Sequence, residues 1–360
     1  MNATQQLHQL GQSLWLDNIT RSLITSGTLQ RYIDQDSITG LTSNRTIFDH
    51  AIGRSTAYDD AIREKLQQGE SPEPLFFELA LDDITRAADL FRPIYERTSG
   101  VDGWVSLEVS PLLAHDASKT VASAKELAAR GNRPNLFIKI PGTPEGLPAV
   151  EESIFAGIPV NVTLLFSREQ YAAAAEAYMR GVERRISAGL NPNVASVASV
   201  FVSRWDTSVA GKVPEDLRNR LGIAVGGSIY SQYCSLLGSD RWRRACNFGA
   251  RPQRLLWAST GTKDPAAPDD LYIAALAAPF TVNTMPETTL KAFADHGKIE
   301  SALSSNNDFE GALAKFASHG IDVGALAARL QDEGAKTFVK SWTDLMDVIA
   351  SKYSKVRQTA

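Results

Sequence analysis

The 360-residue chain is poor in several things, and each scarcity removes a class of protein. Two cysteines, Cys234 and Cys246, are too few for a disulfide framework, which fits a reducing cytoplasm. Five histidines are scattered with no i, i+4 pair and no Cys/His cluster, so no metal site is expected. The most apolar stretch, "LYIAALAAPFTV", is too short and too interrupted by proline to span a bilayer. The opening "MNATQQLHQLGQSLWLD" lacks the charged start and apolar run of a signal peptide. Basic charge is not in excess either. Lys plus Arg number 37 against 41 Asp plus Glu, a net charge of −4, which argues against a nucleic-acid or anionic-membrane surface. No G-x-G-x-x-G follows the first strand-like run, and no P-loop is present.

What is present is a soluble globular composition, 43% hydrophobic and 22% charged, with a recurrent pattern. Apolar runs that read as strands alternate with longer helical stretches. The runs are "SLWLD", "ITGLTS", "GWVSLEVS", "NLFIKI", "PVNVTLLF", "SVASVFVS", "QRLLWAS" and "APFTVN". Eight β–α units in this length predict an α/β protein, a (β/α)8 TIM barrel, over an open doubly wound sheet, the structural runner-up. The whole of 1–360 is expected to be one domain. A helical insertion is expected at about 55–100, with "GESPEP" as a linker inside it. A C-terminal helical extension at about 305–360 is expected to pack against the barrel wall. "AVGGSIY" is glycine-rich, has no strand before it, and is read as a turn.

A barrel enzyme builds its site from the C-terminal ends of its strands. Asp17 ends the first run and Asn44 follows the second. Glu108 lies on the third and Lys139 on the fourth, in "NLFIKIPG". The fifth begins with Asn161 and Thr163, two apart and so on one face. The sixth carries Ser199 and Phe201, with Arg204 just beyond, and the seventh ends in Ser259 with Lys263 after it. Each has an ordinary reading when taken alone. Asp17 and Asn44 could cap helices or turns, Glu108 could pair with Lys139, and Arg204 could be a surface residue. The set carries the argument.

A lysine in an apolar cavity has its charged form disfavoured, and a neutral amine can attack a ketone carbonyl to form an iminium. The iminium is an electron sink for breaking the adjacent carbon–carbon bond. Two carboxylates supply proton transfers, each typically ~10²–10⁴-fold in rate. Arg, Lys and Ser at the far end make a phosphate clamp. Together they predict Schiff-base aldol chemistry on a phosphosugar, with no metal and no cofactor.

The motifs "LWLDNI", "GLTSNRTIF", "VSLEVSP", "IKIPGTPEG", "NVTLLFS", "SVFVSRWD" and "LLWASTG", in this order from about residue 10 to residue 300, resemble transaldolase in its longer form. The resemblance implies a class I aldolase-type barrel acting in the pentose phosphate pathway; a cytoplasmic monomer or homodimer is the expectation. A dihydroxyacetone unit would pass from sedoheptulose 7-phosphate or fructose 6-phosphate to glyceraldehyde 3-phosphate or erythrose 4-phosphate. By the same resemblance Lys139 is the Schiff-base lysine, Asp17 the acid/base, and Glu108 the partner of a catalytic water that Thr163 places. Asn44 and Asn161 would hold the hydroxyls of the three-carbon unit, Ser199 and Phe201 would wall the lysine, and Arg204 would hold the phosphate with Ser259 and Lys263. Short forms carry "SPFVGR" where Val200 and Ser203 stand here, and an arginine where Lys263 is the nearest base. A fructose-6-phosphate aldolase that releases free dihydroxyacetone is the alternative activity. That group resembles this family but carries Gln for the glutamate and Tyr for the phenylalanine, so Glu108 and Phe201 point to transfer. A non-catalytic sugar-phosphate binder would have no use for a buried lysine between two carboxylates.

Overall fold

The computed structural model describes residues 2–43, 48, 51–53, 55–67 and 71–358. Eight parallel strands close a barrel in sequence order: β1 Ser13–Leu16, β2 Ile38–Thr42, β3 Val105–Glu108, β4 Leu136–Pro141, β5 Val160–Leu165, β6 Ser196–Phe201, β7 Gln253–Ala258 and β8 Val282–Met285. Every residue of these strands is buried. That is why they read as near-continuous apolar runs: helices cover the outside and side chains fill the inside. The (β/α)8 expectation holds, and the open sheet is excluded by the β1–β8 pairing.

One close approach and one polar plug set the barrel's interior. Gly40 on β2 faces the Trp15 indole, where an added Cβ would lie 2.5 Å from Nε1. The N-terminal end is closed by a polar plug: Trp15 Nε1 donates to Asp102 (2.8 Å), Ser13 Oγ donates to the same carboxylate, and Arg254 donates to Ser13 Oγ (2.7 Å). The buried charges thus meet through hydrogen-bonding neighbours, as buried charges must.

Several boundaries differ from the sequence reading. "AVGGSIY" lies inside the helix Leu221–Gly238. Its glycine pair serves close packing: a Cβ on Gly227 would lie 2.1 Å from the Phe309 ring. The eighth strand starts at Val282, not at Ala278. Phe280, before it, holds a positive φ of 60° and is exposed, so it belongs to a turn. Ser71 and Pro72 of "GESPEP" open a helix, with proline at the first turn where no N–H is missed. That helix, Pro72–Arg97, packs on β2 and β3 as a crossover helix does, preceded by Asp59–Gln67. The last helix, Val323–Gln358, reaches the C-terminal mouth of the barrel as well as its side. Among the described residues no helix is long and apolar enough to cross a membrane.

Candidate active site

A cavity of 230 Å³ opens at the C-terminal ends of the strands. Asp17, Glu108, Lys139, Thr163, Ser199, Phe201, Arg204, Ser259 and Lys263 all line it. Nine residues named from the sequence therefore share one pocket. Asn44 lies outside the described residues. A larger, shallower groove of 710 Å³ is lined by Leu313, Ala314, Ile321 and Val323 among others, and contains no strand side chain.

Lys139 ends in this cavity because β4 carries it inward while Ile138 and Ile140 point to the wall of helices. The lysine is 8% exposed, and its Nζ lies 3.9 Å from Glu108 Oε2, on the neighbouring strand in direct register. The ion-pair reading of Glu108 and the functional one are therefore compatible. Two carboxylates enter the cavity from different sides. Asp17, half-buried at the end of β1, accepts from Thr42 Oγ1 (2.9 Å), and Thr42 in turn meets Thr284 Oγ1 (2.7 Å). A chain of two threonines thus orients one carboxylate oxygen of Asp17.

Thr163 is buried with no hydrogen-bond partner for its hydroxyl among the described residues. Its aim is set by a bulge. The β5–β6 pairing jumps from Val162↔Ala198 to Leu165↔Val200, and Leu164 takes a φ of 62°. A bulky residue rarely adopts this left-handed conformation, which costs about 1–3 kcal/mol and persists where surroundings enforce it. Here Gln331, on the last helix, donates to Leu164 O and to Gly142 O, both at 3.0 Å.

Asn161 does not line the cavity in the free protein. It is fully buried below the cavity lining, donating to Ser106 Oγ (3.1 Å) and accepting from Ser199 Oγ (2.7 Å). Ser199 is the residue of that pair that reaches the cavity.

At the far end, the Arg204 guanidinium sits 5.3 Å from the Phe201 ring centroid and makes no hydrogen bond or ion pair among the described residues. Burial holds it below the usual arginine range, with Glu333 opposing. An unpartnered, partly desolvated guanidinium is a site for an anion. Ser259 stands beside it with a positive φ of 56° and shares a hydrogen bond with Ser203 (2.9 Å). Lys263 is exposed at the rim. Its loop is latched by Asp264, which accepts from Arg218 (2.6 and 2.7 Å), Asn219 (2.7 Å) and Ala266 N (3.0 Å). The Asn219 and Ala266 hydrogen bonds and the Arg218 fork hold the Asp264 carboxyl down at about 2. The aspartate of "SRWD" has a structural task instead: Asp206 accepts from the N–H groups of Leu221 and Gly222, capping the next helix, and from Tyr272.

Sequence reasoning missed Thr42, Thr284 and three residues of the last helix, Thr337, Phe338 and Ser341, all of which line the cavity. Thr42 is the last residue of β2, a strand-end position of the kind that supplied the other candidates. The helix residues carry no such signal. Among the described residues no cluster of metal-ligating side chains occurs.

The family description "Transaldolase/Fructose-6-phosphate aldolase" matches residues 14–349. A transaldolase of Thermobifida fusca is 44% identical over 358 residues, covering 97% of each chain. A transaldolase of Parafrankia sp. is 43% identical, covering 95% of this chain and 96% of that one. One of Mycolicibacterium smegmatis is 43% identical over 95% of both. The chain belongs to the transaldolase/fructose-6-phosphate aldolase family.

Proposed function

We propose that this chain is a transaldolase that carries a dihydroxyacetone unit on Lys139 between a ketose phosphate and an aldose phosphate. The observation that supports it most is the seclusion of Lys139 in one cavity with Glu108, Asp17 and Arg204, the last without a hydrogen-bond or ion-pair partner among the described residues. Lys139 Nζ attacks the ketone carbon of the donor, and water leaves as the protonated iminium forms. Asp17 takes the proton of the hydroxyl two carbons along. The carbon–carbon bond breaks, its electron pair enters the iminium to give an enamine, and an aldehyde departs. The enamine carbon then attacks the acceptor aldehyde while Asp17 returns its proton, and water hydrolyses the new iminium.

Glu108, 3.9 Å from Nζ, is in place to pass protons to and from the water that leaves and returns, with the buried Thr163 hydroxyl beside it to orient that water. Asn161 acts through Ser199, which it holds. Asn44 is proposed to hold a hydroxyl of the three-carbon unit. Arg204, Ser259 and Lys263 take the phosphate. Sedoheptulose 7-phosphate and fructose 6-phosphate are the donors, glyceraldehyde 3-phosphate and erythrose 4-phosphate the acceptors, as in the pentose phosphate pathway. The free thiols of Cys234 and Cys246 fit a reducing, cytoplasmic setting.

A transfer assay tests the reading. With sedoheptulose 7-phosphate and glyceraldehyde 3-phosphate the protein should form fructose 6-phosphate and erythrose 4-phosphate. Asp17→Asn and Glu108→Gln should each lose ~10²–10⁴-fold, the range of a positioned acid or base. Full activity in either variant would remove that residue from the chemistry.

A further inference from the structure

We propose that Gln331, on the last helix, is a positioning residue for the reaction: it holds the bent chain just beyond Thr163, so that the Thr163 hydroxyl orients the water beside Glu108. The inference rests on reading Thr163 as the group that orients that water.

Gln331 belongs to a frame of hydrogen bonds around one short stretch of β5. Its side chain is buried, and its amide nitrogen carries two hydrogens. That nitrogen donates to Gly142 O and to Leu164 O, both at 3.0 Å. Gly142, which follows β4 directly, donates from its own N–H to Thr163 O at 2.7 Å. The two successive peptides after Thr163 are therefore both tied, one to Gly142 and one to Gln331. The helix closes on the Leu164 side chain as well, for a Cβ on Gly334 would lie 2.9 Å from Leu164 Cδ2.

This stretch needs holding. Leu164 keeps a φ of 62°, and Thr163 and Leu164 together stand opposite Ser199 in the pairing with β6. A bulge of this kind re-aims a side chain, and a bulky residue returns to extended backbone unless its surroundings prevent it. Thr163 is β-branched and stiff at χ1, so the direction of its hydroxyl follows its backbone. That hydroxyl is buried without a hydrogen-bond partner, and Thr163 lines the cavity with Glu108 and Lys139. A buried hydroxyl left unpaired is costly, and a water at Glu108 would complete it. Gln331 touches no reacting atom. It acts through the chain that carries Thr163.

The test follows transfer from fructose 6-phosphate to erythrose 4-phosphate. Gln331→Met removes both donors while keeping a long side chain in place. Its kcat should fall about ten- to a hundredfold, the scale of a misplacement near 1 Å, with KM for fructose 6-phosphate nearly unchanged. The borohydride-trapped adduct on Lys139 should form more slowly to match, because water must leave as the iminium forms. Gln331→Asn keeps an amide but is one carbon too short to span both carbonyls; it should show the same loss, and it stands in should the methionine variant fail to fold. Thr163→Val removes the hydroxyl itself. Adding Gln331→Met or Gln331→Asn to it should cost little more, since the two changes strike one device. Unchanged kcat in the folded Gln331 variants, or losses that multiply with that of Thr163→Val, would overturn the inference. Full activity in Thr163→Val would instead bring down the reading of Thr163, and the inference with it.

Discussion

Replacing Arg204 by alanine removes a half-buried cation that lines the cavity. Among the described residues this guanidinium has no ion-paired carboxylate to release before it can bind an anion; it rests on the Phe201 ring at 5.3 Å. A phosphate therefore gains its full charge-assisted contact, worth about 1.5–3 kcal/mol. That is roughly ten- to a hundredfold in kcat/KM. Lys263 does not compensate, because an exposed cation contributes only about 0–1 kcal/mol through screened solvent. Arg204→Lys keeps the charge but loses the planar fork and the stacking, so it should fall between the two. The assay compares kcat/KM for fructose 6-phosphate with that for unphosphorylated fructose, each with the same acceptor. Arg204→Ala should depress the first and leave the second nearly unchanged. An equal loss on both donors would refute the reasoning and place the phosphate elsewhere.

Phe201→Tyr adds a hydroxyl beside the lysine, able to donate a proton or hold water, and should raise release of free dihydroxyacetone relative to transfer with Lys139 still required. Assaying both products with and without an acceptor aldehyde gives the partition, and an unchanged ratio in an active variant would show that this wall does not set it. Asp264 should make the protein acid-sensitive. Its folded value, about 2, lies below the unfolded carboxylate value of about 3.9, so its latch stabilises fully above the unfolded value and is lost as pH falls through the folded one. The difference in Tm between the unsubstituted protein and Asp264→Asn should shrink between about pH 4 and pH 2; a constant difference would mean that the latch does not depend on the charge.

How much of this was readable from residues alone follows from which contacts are local. Parallel strands buried on both faces announce themselves as apolar runs, and a charged residue inside one, such as Lys139, is conspicuous because its desolvation must be compensated. The strand-end residues therefore came from the sequence together, and nine of them meet in one cavity. Layering within the barrel is not local. Asn161 and Thr163 share a strand face by alternation, yet Asn161 bonds sideways to Ser106 and Ser199 while the bulge at Leu164 redirects the next turn of chain. Nothing about leucine signals a left-handed φ; the Gln331 clamp that accompanies it comes from a helix 167 residues later in the chain. Phe338 reads as one more apolar position of an amphipathic helix, and only the fold shows that it faces Lys139. The glycine pair at Gly226 and Gly227 suggested a turn because glycine's freedom is its commonest use. Here its lack of a side chain matters, since the Phe309 ring occupies the space.

The proposed reaction turns on a covalent bond between Lys139 and the donor ketose. Incubation with fructose 6-phosphate and borohydride should reduce the iminium to a stable amine, adding a dihydroxyacetone-sized mass to the peptide containing "FIKIPG". Peptide mapping should place it on Lys139, and Lys139→Ala should give neither adduct nor transfer. Labelling of another lysine, or transfer activity retained in Lys139→Ala, would contradict the account.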